Sequence, residues 1–183
     1  MNNKKNLLQF TIFSVTFSFI LGTLLHFTYE LSGNNPFVGL FSAVNESVWE
    51  HLKLVFFPMA ITTIIGSFYF KETFPNYICH RLFGVIIAFA FIVIFFYTYT
   101  GILGTNLAIL NIASFFISIL LGEWISYIHI QKNICFFPKI CNASFCFICF
   151  YIILFCFILF TFFPIQISLF QDPITKSFGI SSF

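Results

Sequence analysis

Five apolar runs, each about as long as a bilayer core is thick, leave this chain few ways to fold. They extend over about 7–30, 47–70, 80–100, 106–129 and 144–164. A helix needs roughly 17–25 predominantly apolar residues to cross the hydrocarbon core. Inside lipid, every backbone N–H and C=O must be satisfied within one helix or by a closed barrel. The runs are continuous rather than alternating, which argues against barrel strands. The expected fold class is therefore all-α: a polytopic membrane helix bundle of about five transmembrane helices plus a short interfacial helix. It forms a single integral membrane domain over 1–183, with 165–183 as an extracytoplasmic tail. Composition supports this, since only 8% of the residues are charged, against about 25% in a soluble domain. The net charge of +2 comes with no basic run beyond Lys4-Lys5. Nucleic acid is therefore not an expected partner, and the lipid bilayer is.

The connections between the runs carry turn and cap signals. Lys4 and Lys5 precede a first run that is too long for a secretory h-region and lacks a small-x-small cleavage site, so it reads as a retained span. Leu31-Ser32-Gly33-Asn34-Asn35-Pro36 is a loop. Asn35 as N-cap and Pro36 at the first helical position predict a short interfacial helix over 36–44. Ser47-x-x-Glu50 matches a capping box that starts the second span near Val48, and Pro58 is a candidate kink. Basic residues set orientation. Lys4, Lys5, Lys71, Arg81, Lys132 and Lys139 fall on one side, and Lys53 and Lys176 on the other. The expectation is a cell-membrane protein with its N-terminus cytoplasmic and its C-terminus extracytoplasmic. Cysteines stand at 79, 135, 141, 146, 149 and 156. Cys146-x-x-Cys149 has metal or redox spacing. It lies in an apolar run with no charge nearby, so the cysteines read as packing residues.

Candidate chemistry is concentrated in Val44-Asn45-Glu46-Ser47-Val48-Trp49-Glu50-His51-Leu52-Lys53. On a helix extended back through this stretch, Ser42, Glu46, Trp49, Glu50 and Lys53 share a face, and His51 points away. His26 and Glu30 are placed at the same membrane boundary by the topology. Glu30, Glu46 and Glu50 against Lys53 leave an excess of negative charge beside lipid, which is costly. A retained proton, a protonated histidine or a bound cation would relieve it. His26, Glu46, Glu50 and His51 are the candidate ligands for a divalent metal. Glu30 and Glu50 are the candidate catalytic carboxylates, with Glu30 as general base. Asn45, Lys53 and Asp172 are further candidate members of the polar site.

Each residue also has a plainer role. Glu50 can cap a helix, Trp49 and Tyr29 can anchor at the interface, and Lys53 can snorkel. Glu46 can be solvated, and His26 can pair with Glu30. Glu123 is expected to be neutralised by Arg81 or Lys132, with His80 and His129 interfacial. Three functional readings remain open. They are a metal-dependent membrane enzyme, a cation- or proton-coupled transport or binding protein, and a structural membrane protein acting through partners.

His26-x-x-Tyr29, Ser32-Gly33-Asn34-Asn35-Pro36, Gly39-Leu40-Phe41 and the Val44–Lys53 run together resemble a family of small bacterial multi-pass membrane proteins catalogued as a domain of unknown function. Phe170-x-Asp172-Pro173-x-Thr175-x-x-Phe178-Gly179-Ile180 resembles the same family's ending, with Phe178 where tyrosine is expected. The resemblance covers nearly the whole chain. It implies an integral membrane protein of about five spans and associates Asp172 with the outer site, but implies no activity or ligand.

Overall fold

The computed structural model describes residues 2–135 and 142–180. Pro138, Lys139, Cys141 and the last three residues of the tail lie outside that range. The helices are α1 (Asn2–Leu31), α2 (Pro36–Gly39), α3 (Val48–Phe70), α4 (Tyr77–Leu103), α5 (Ala108–Lys132) and α6 (Ala143–Phe162). Five of them are long and apolar enough to cross a membrane. The chain is an all-α polytopic membrane helix bundle with one short extra helix. Its described residues contain no strand, only an isolated bridge between Gln171 and Phe178.

Local chemistry sets the boundaries. Asn35 caps α2 by accepting from the Phe37 N–H, with Pro36 at the first position. Ser47 caps α3 by accepting from the Glu50 N–H at 3.3 Å. The capping box is only half made, because the Glu50 carboxylate turns instead to the Val44 N–H at 3.0 Å. α4 stops at Gly104 and α5 at Asn133, both left-handed, the conformation that closes a helix end. α2 ends at Gly39 and does not reach Val44 as expected. Gly39 packs against Val44 and Tyr29 so closely that an added Cβ would lie 2.8 Å from Val44 Cγ1, and its carbonyl accepts from Lys53 Nζ at 2.8 Å.

The long helices alternate in direction. Leu7, Phe70, Tyr77, Cys79, Ile130 and Cys146 pack together at one end. That end gathers the start of α1, the end of α3, the start of α4, the end of α5 and the start of α6. The opposite end holds the end of α1, the start of α3, the α4–α5 connection and the tail. Cys79 and Cys146, separated by 67 residues, form a disulfide at the first end. This replaces the expectation of packing cysteines for that pair. Cys149 is free, so Cys146-x-x-Cys149 is not a redox or metal pair.

Small residues bring the helices close, as membrane bundles require. At the α4–α5 crossing, a Cβ on Gly84 would lie 2.3 Å from the Gly122 carbonyl oxygen, and one on Gly122 would lie 2.6 Å from that of Gly84. Pro58 sits inside α3 and has no N–H for the Leu54 carbonyl. Gly22 of α1 lies against that carbonyl oxygen, which would sit 2.4 Å from a Cβ added there.

The bundle interior holds one large ionic network. The Arg81 guanidinium meets both oxygens of Glu123. Its Nε donates to Thr63 Oγ1 at 3.1 Å, and Nη2 donates to Thr62 Oγ1 at 2.9 Å. Ser14 Oγ lies 2.7 Å from Glu123 Oε1. Four helices thus share one satisfied charge pair, and the expected partnership of Arg81 with Glu123 is present. His80 and His129 stand at the first end of the bundle between α4 and α5, where His80 is 2% and His129 9% exposed. His80 Nε2 lies 3.4 Å from Asn133 Oδ1.

Candidate functional site

The end of α1, the non-helical stretch 40–47 and the first turns of α3 converge on His26, Glu46 and His51. Each offers one ligand atom, and these atoms lie within 4.8 Å of one another. His26 Nε2 is 3.6 Å from Glu46 Oε1, and His51 Nε2 is 3.5 Å from Glu46 Oε2. The carboxylate therefore presents one oxygen to each imidazole. This corrects the helical projection that pointed His51 away from Glu46. α3 begins only at Val48. Glu46 precedes the N-cap in extended chain, where a period of about 100° per residue does not apply. Ser42 is likewise off the helix, and its Oγ donates to the Leu25 carbonyl at 2.6 Å.

Hydrogen bonding defines the His51 ring. Its Nδ1 lies 2.9 Å from the Ser47 carbonyl oxygen. A carbonyl can only accept, so Nδ1 carries a proton, and in the neutral ring Nε2 is a lone pair facing Glu46. A lone pair and a carboxylate oxygen at this distance repel unless a positive charge lies between them. A backbone carbonyl on the remote nitrogen is the usual arrangement behind a metal-bound histidine. His26 Nδ1 is buried without a hydrogen-bond partner. The His26 imidazole beside Glu46, opposed by burial, holds the Glu46 carboxyl below the usual carboxylate range.

Glu50 does not join this group. It is 2% exposed and forms a buried ion pair with Lys53. Lys53 is itself fully buried and does not snorkel. Its Nζ also donates to the Gly39 carbonyl at 2.8 Å and to Thr161 Oγ1 at 2.9 Å. The pair binds α3 to α2 and α6, and through the Val44 N–H it fixes the stretch that carries Glu46. Glu30 is exposed, one turn beyond His26 on α1.

Asn45 and Asp172 tie the tail to the same stretch. Asn45 Nδ2 donates to the Gly179 carbonyl at 3.1 Å, while its Oδ1 accepts from the Ser47 N–H at 2.9 Å. Asp172 Oδ1 accepts from the N–H groups of Ile174 at 2.7 Å and Thr175 at 3.1 Å. Its Oδ2 accepts from the Glu46 N–H at 3.4 Å. The Leu169 carbonyl accepts from the Trp49 N–H at 3.0 Å, satisfying an N-terminal donor of α3. Trp49 packs among Phe157, Phe160 and Phe170 in tilted and edge-on contacts. The tail is thus docked beneath the site.

Burial pushes the Asp172 carboxyl up. The N–H groups of Ile174, Thr175 and Glu46 and the Thr175 hydroxyl outweigh it and hold the group below its ordinary value. A depressed carboxyl contributes stability above its unfolded value, about 3.9, and loses it as pH falls through the folded value. Hydrogen-exchange protection of the Ile174 and Thr175 amides is therefore expected to hold at neutral pH and to collapse below about pH 4. Asp172→Asn is expected to lose much of that protection already at pH 7. Protection unchanged by the substitution would refute the tail contact.

Two cavities meet at the cluster. A cleft of about 290 Å³ is lined by His26, Glu46, His51 and Asn111 together with apolar residues of α1, α3 and α5, among them Phe19 and Ile112. A smaller cavity of about 30 Å³ is lined by Glu46, His51, Asn111 and Ser114 with apolar neighbours. It has room for about two or three waters, at about 10–15 Å³ of such volume each. Sequence reasoning did not identify Asn111. A polar residue within an apolar run was its only local signal.

The chain belongs to a family of unknown function, DUF6512, whose model matches residues 1–180. No curated protein and no solved structure matches it.

Proposed function

We propose that this DUF6512 member is a metal-dependent membrane hydrolase, with His26, Glu46 and His51 holding one divalent ion. The observation that carries this reading is the convergence of the three ligand atoms, with the His51 proton committed to Ser47. A tetrahedral ion with ligand bonds of about 2.0–2.2 Å separates its donors by about 3.4 Å. The contacts from the two imidazoles, one to each Glu46 oxygen, are 3.6 and 3.5 Å, and the three ligand atoms lie within 4.8 Å of one another. Two histidines and one carboxylate leave a coordination position open, the feature that separates catalytic from structural zinc sites. The ion would activate water from the small cavity and polarise the bond to be cleaved. In hydrolysis the water oxygen bonds to the acyl carbon, the bond to the leaving group breaks, and that group takes up a proton. We assign the proton transfer to the exposed Glu30, since Glu50 is committed to Lys53.

The transport reading is less well supported. Glu123, the carboxylate that would continue a proton path, is held on both oxygens by Arg81. Lys4, Lys5, Lys71 and Lys132 all lie at the end opposite the cluster. By the positive-inside tendency, the N-terminus is assigned to the cytoplasm and the His26–Glu46–His51 end to the extracytoplasmic face of the cell membrane.

Metal analysis of protein purified in detergent and reloaded with zinc, manganese or ferrous ion tests the assignment. Wild type and Glu30→Gln are expected to retain about one ion per chain, as a single site requires. Glu46→Gln and His51→Asn are expected to retain little. Absence of metal from reloaded wild type, or its retention by both ligand variants, would overturn the proposal.

A further inference from the structure

The larger cavity identifies the substrate by how it can be reached. It lies between α1 and α5, and runs from Phe19 to His26, about 10 Å of helical rise. Its far wall comes from Ala108, Asn111, Ile112 and Phe115. Ile112 is 65% and Phe27 53% exposed on the outer side of the bundle. Because α1 and α5 are spans, that outer side faces hydrocarbon. The cleft therefore opens sideways into the bilayer, and the molecules that meet its mouth are membrane amphiphiles.

The lining matches such a molecule in sequence along its length. The part near Phe19 and Phe115 is apolar. The part near His26, Glu46 and His51 is polar, and Asn111 stands at the junction of both cavities. Asn111 Oδ1 faces Tyr99 Oη at 2.5 Å, and its Nδ2 donates to Asn106 Oδ1 at 2.9 Å. An amide nitrogen has two N–H donors, so one remains for a ligand. At about 290 Å³ the cleft is near the lower end of small-molecule sites, which begin at about 300 Å³. It suits one chain segment and the adjoining polar linkage, not a two-chain lipid in full.

We propose that this cleft binds a single-chain membrane amphiphile. The acyl segment lies between α1 and α5, and the ester or amide linkage is placed at His26–Glu46–His51 with Asn111 as its hydrogen-bond donor. The inference deepens the hydrolase reading by naming its substrate class, and the site is the same.

A monoacylglycerol carrying a diazirine in its chain, incorporated into nanodiscs with the full-length protein, is the probe. After irradiation, label is expected to concentrate in peptides covering 19–27 and 108–115. Ala108→Trp, which fills the mouth, is expected to cut that label about tenfold, equivalent to ~1.4 kcal/mol of affinity, while metal content stays unchanged. Label spread evenly over the exposed faces of all helices, including Tyr151 and Phe155 of α6, and indifferent to Ala108→Trp would overturn the cleft assignment. Metal analysis of the wild type separates the two ideas: absent metal with focused label would reject only the hydrolase, and bound metal with diffuse label only the amphiphile.

Discussion

Replacing Arg81 with methionine is expected to destabilise the bundle by about 3–5 kcal/mol, the cost of stranding one partner of a buried ion pair. Arg81 is 2% and Glu123 0% exposed. The guanidinium also supplies the donors that hold Thr62 and Thr63 of α3, and Ser14 of α1 lies against the same carboxylate. Without Arg81, Glu123 retains only Ser14 and must ionise unpaired in apolar packing or take up a proton. The pair as a whole is a different matter. Its desolvation roughly cancels its attraction, and an apolar replacement of similar volume is often neutral or better. Arg81→Met with Glu123→Leu is therefore expected to recover most of the loss. Reversible unfolding in mixed micelles measures both. A single variant within about 1 kcal/mol of wild type would show that the network does not carry the α1–α3–α4–α5 junction.

Lys53→Met is expected to cost a similar 3–5 kcal/mol, but with a second consequence at the site. Glu50 would lose its counter-charge, the Gly39 carbonyl its donor, and Thr161 its link to α3. Glu50 fixes the Val44 N–H, two residues before Glu46. Release of that stretch moves the Glu46 carboxylate away from the imidazoles. The variant is therefore expected to lose metal although Lys53 touches no ligand, whereas Arg81→Met, toward the other end of the bundle, is expected to keep it. Unfolding as above and metal analysis separate the two effects. A Lys53→Met protein that is folded, fully stable and metal-replete would refute the coupling.

The spans were readable because hydropathy in a membrane protein is a direct record of the solvent. The Ser47 cap and the Arg81–Glu123 pair were readable for related reasons. A cap residue beside an apolar run has a short list of uses, and a charge within one must find a partner. The site was only partly readable. His26, Glu46 and His51 were all in view, but their mutual geometry depends on where α3 begins. Projecting the stretch as one helix put Glu46 beside Glu50 and turned His51 away. The structure starts the helix at Val48, so Glu46 hangs from extended chain and reaches both imidazoles. Lys53 could equally have snorkelled. What keeps it inside is the Gly39 carbonyl and Thr161, contacts 14 and 108 residues away that no local pattern encodes. The Cys79–Cys146 bond, 67 residues apart, is of the same kind.

The docked tail adds a consequence in time. Glu46 and Trp49 belong to the first third of the chain, yet their backbone N–H groups bond to Asp172 and Leu169, and Asn45 reaches Gly179. Gly179 has φ of +56° and lies so near the Thr161 carbonyl that only glycine fits there. These partners emerge from the ribosome after α6. The first spans can therefore enter the membrane while the ligand stretch between them is still unsupported. Completion of the His26–Glu46–His51 cluster waits for residues 169–179, and a chain that stops short of them would be inserted with that stretch unsupported.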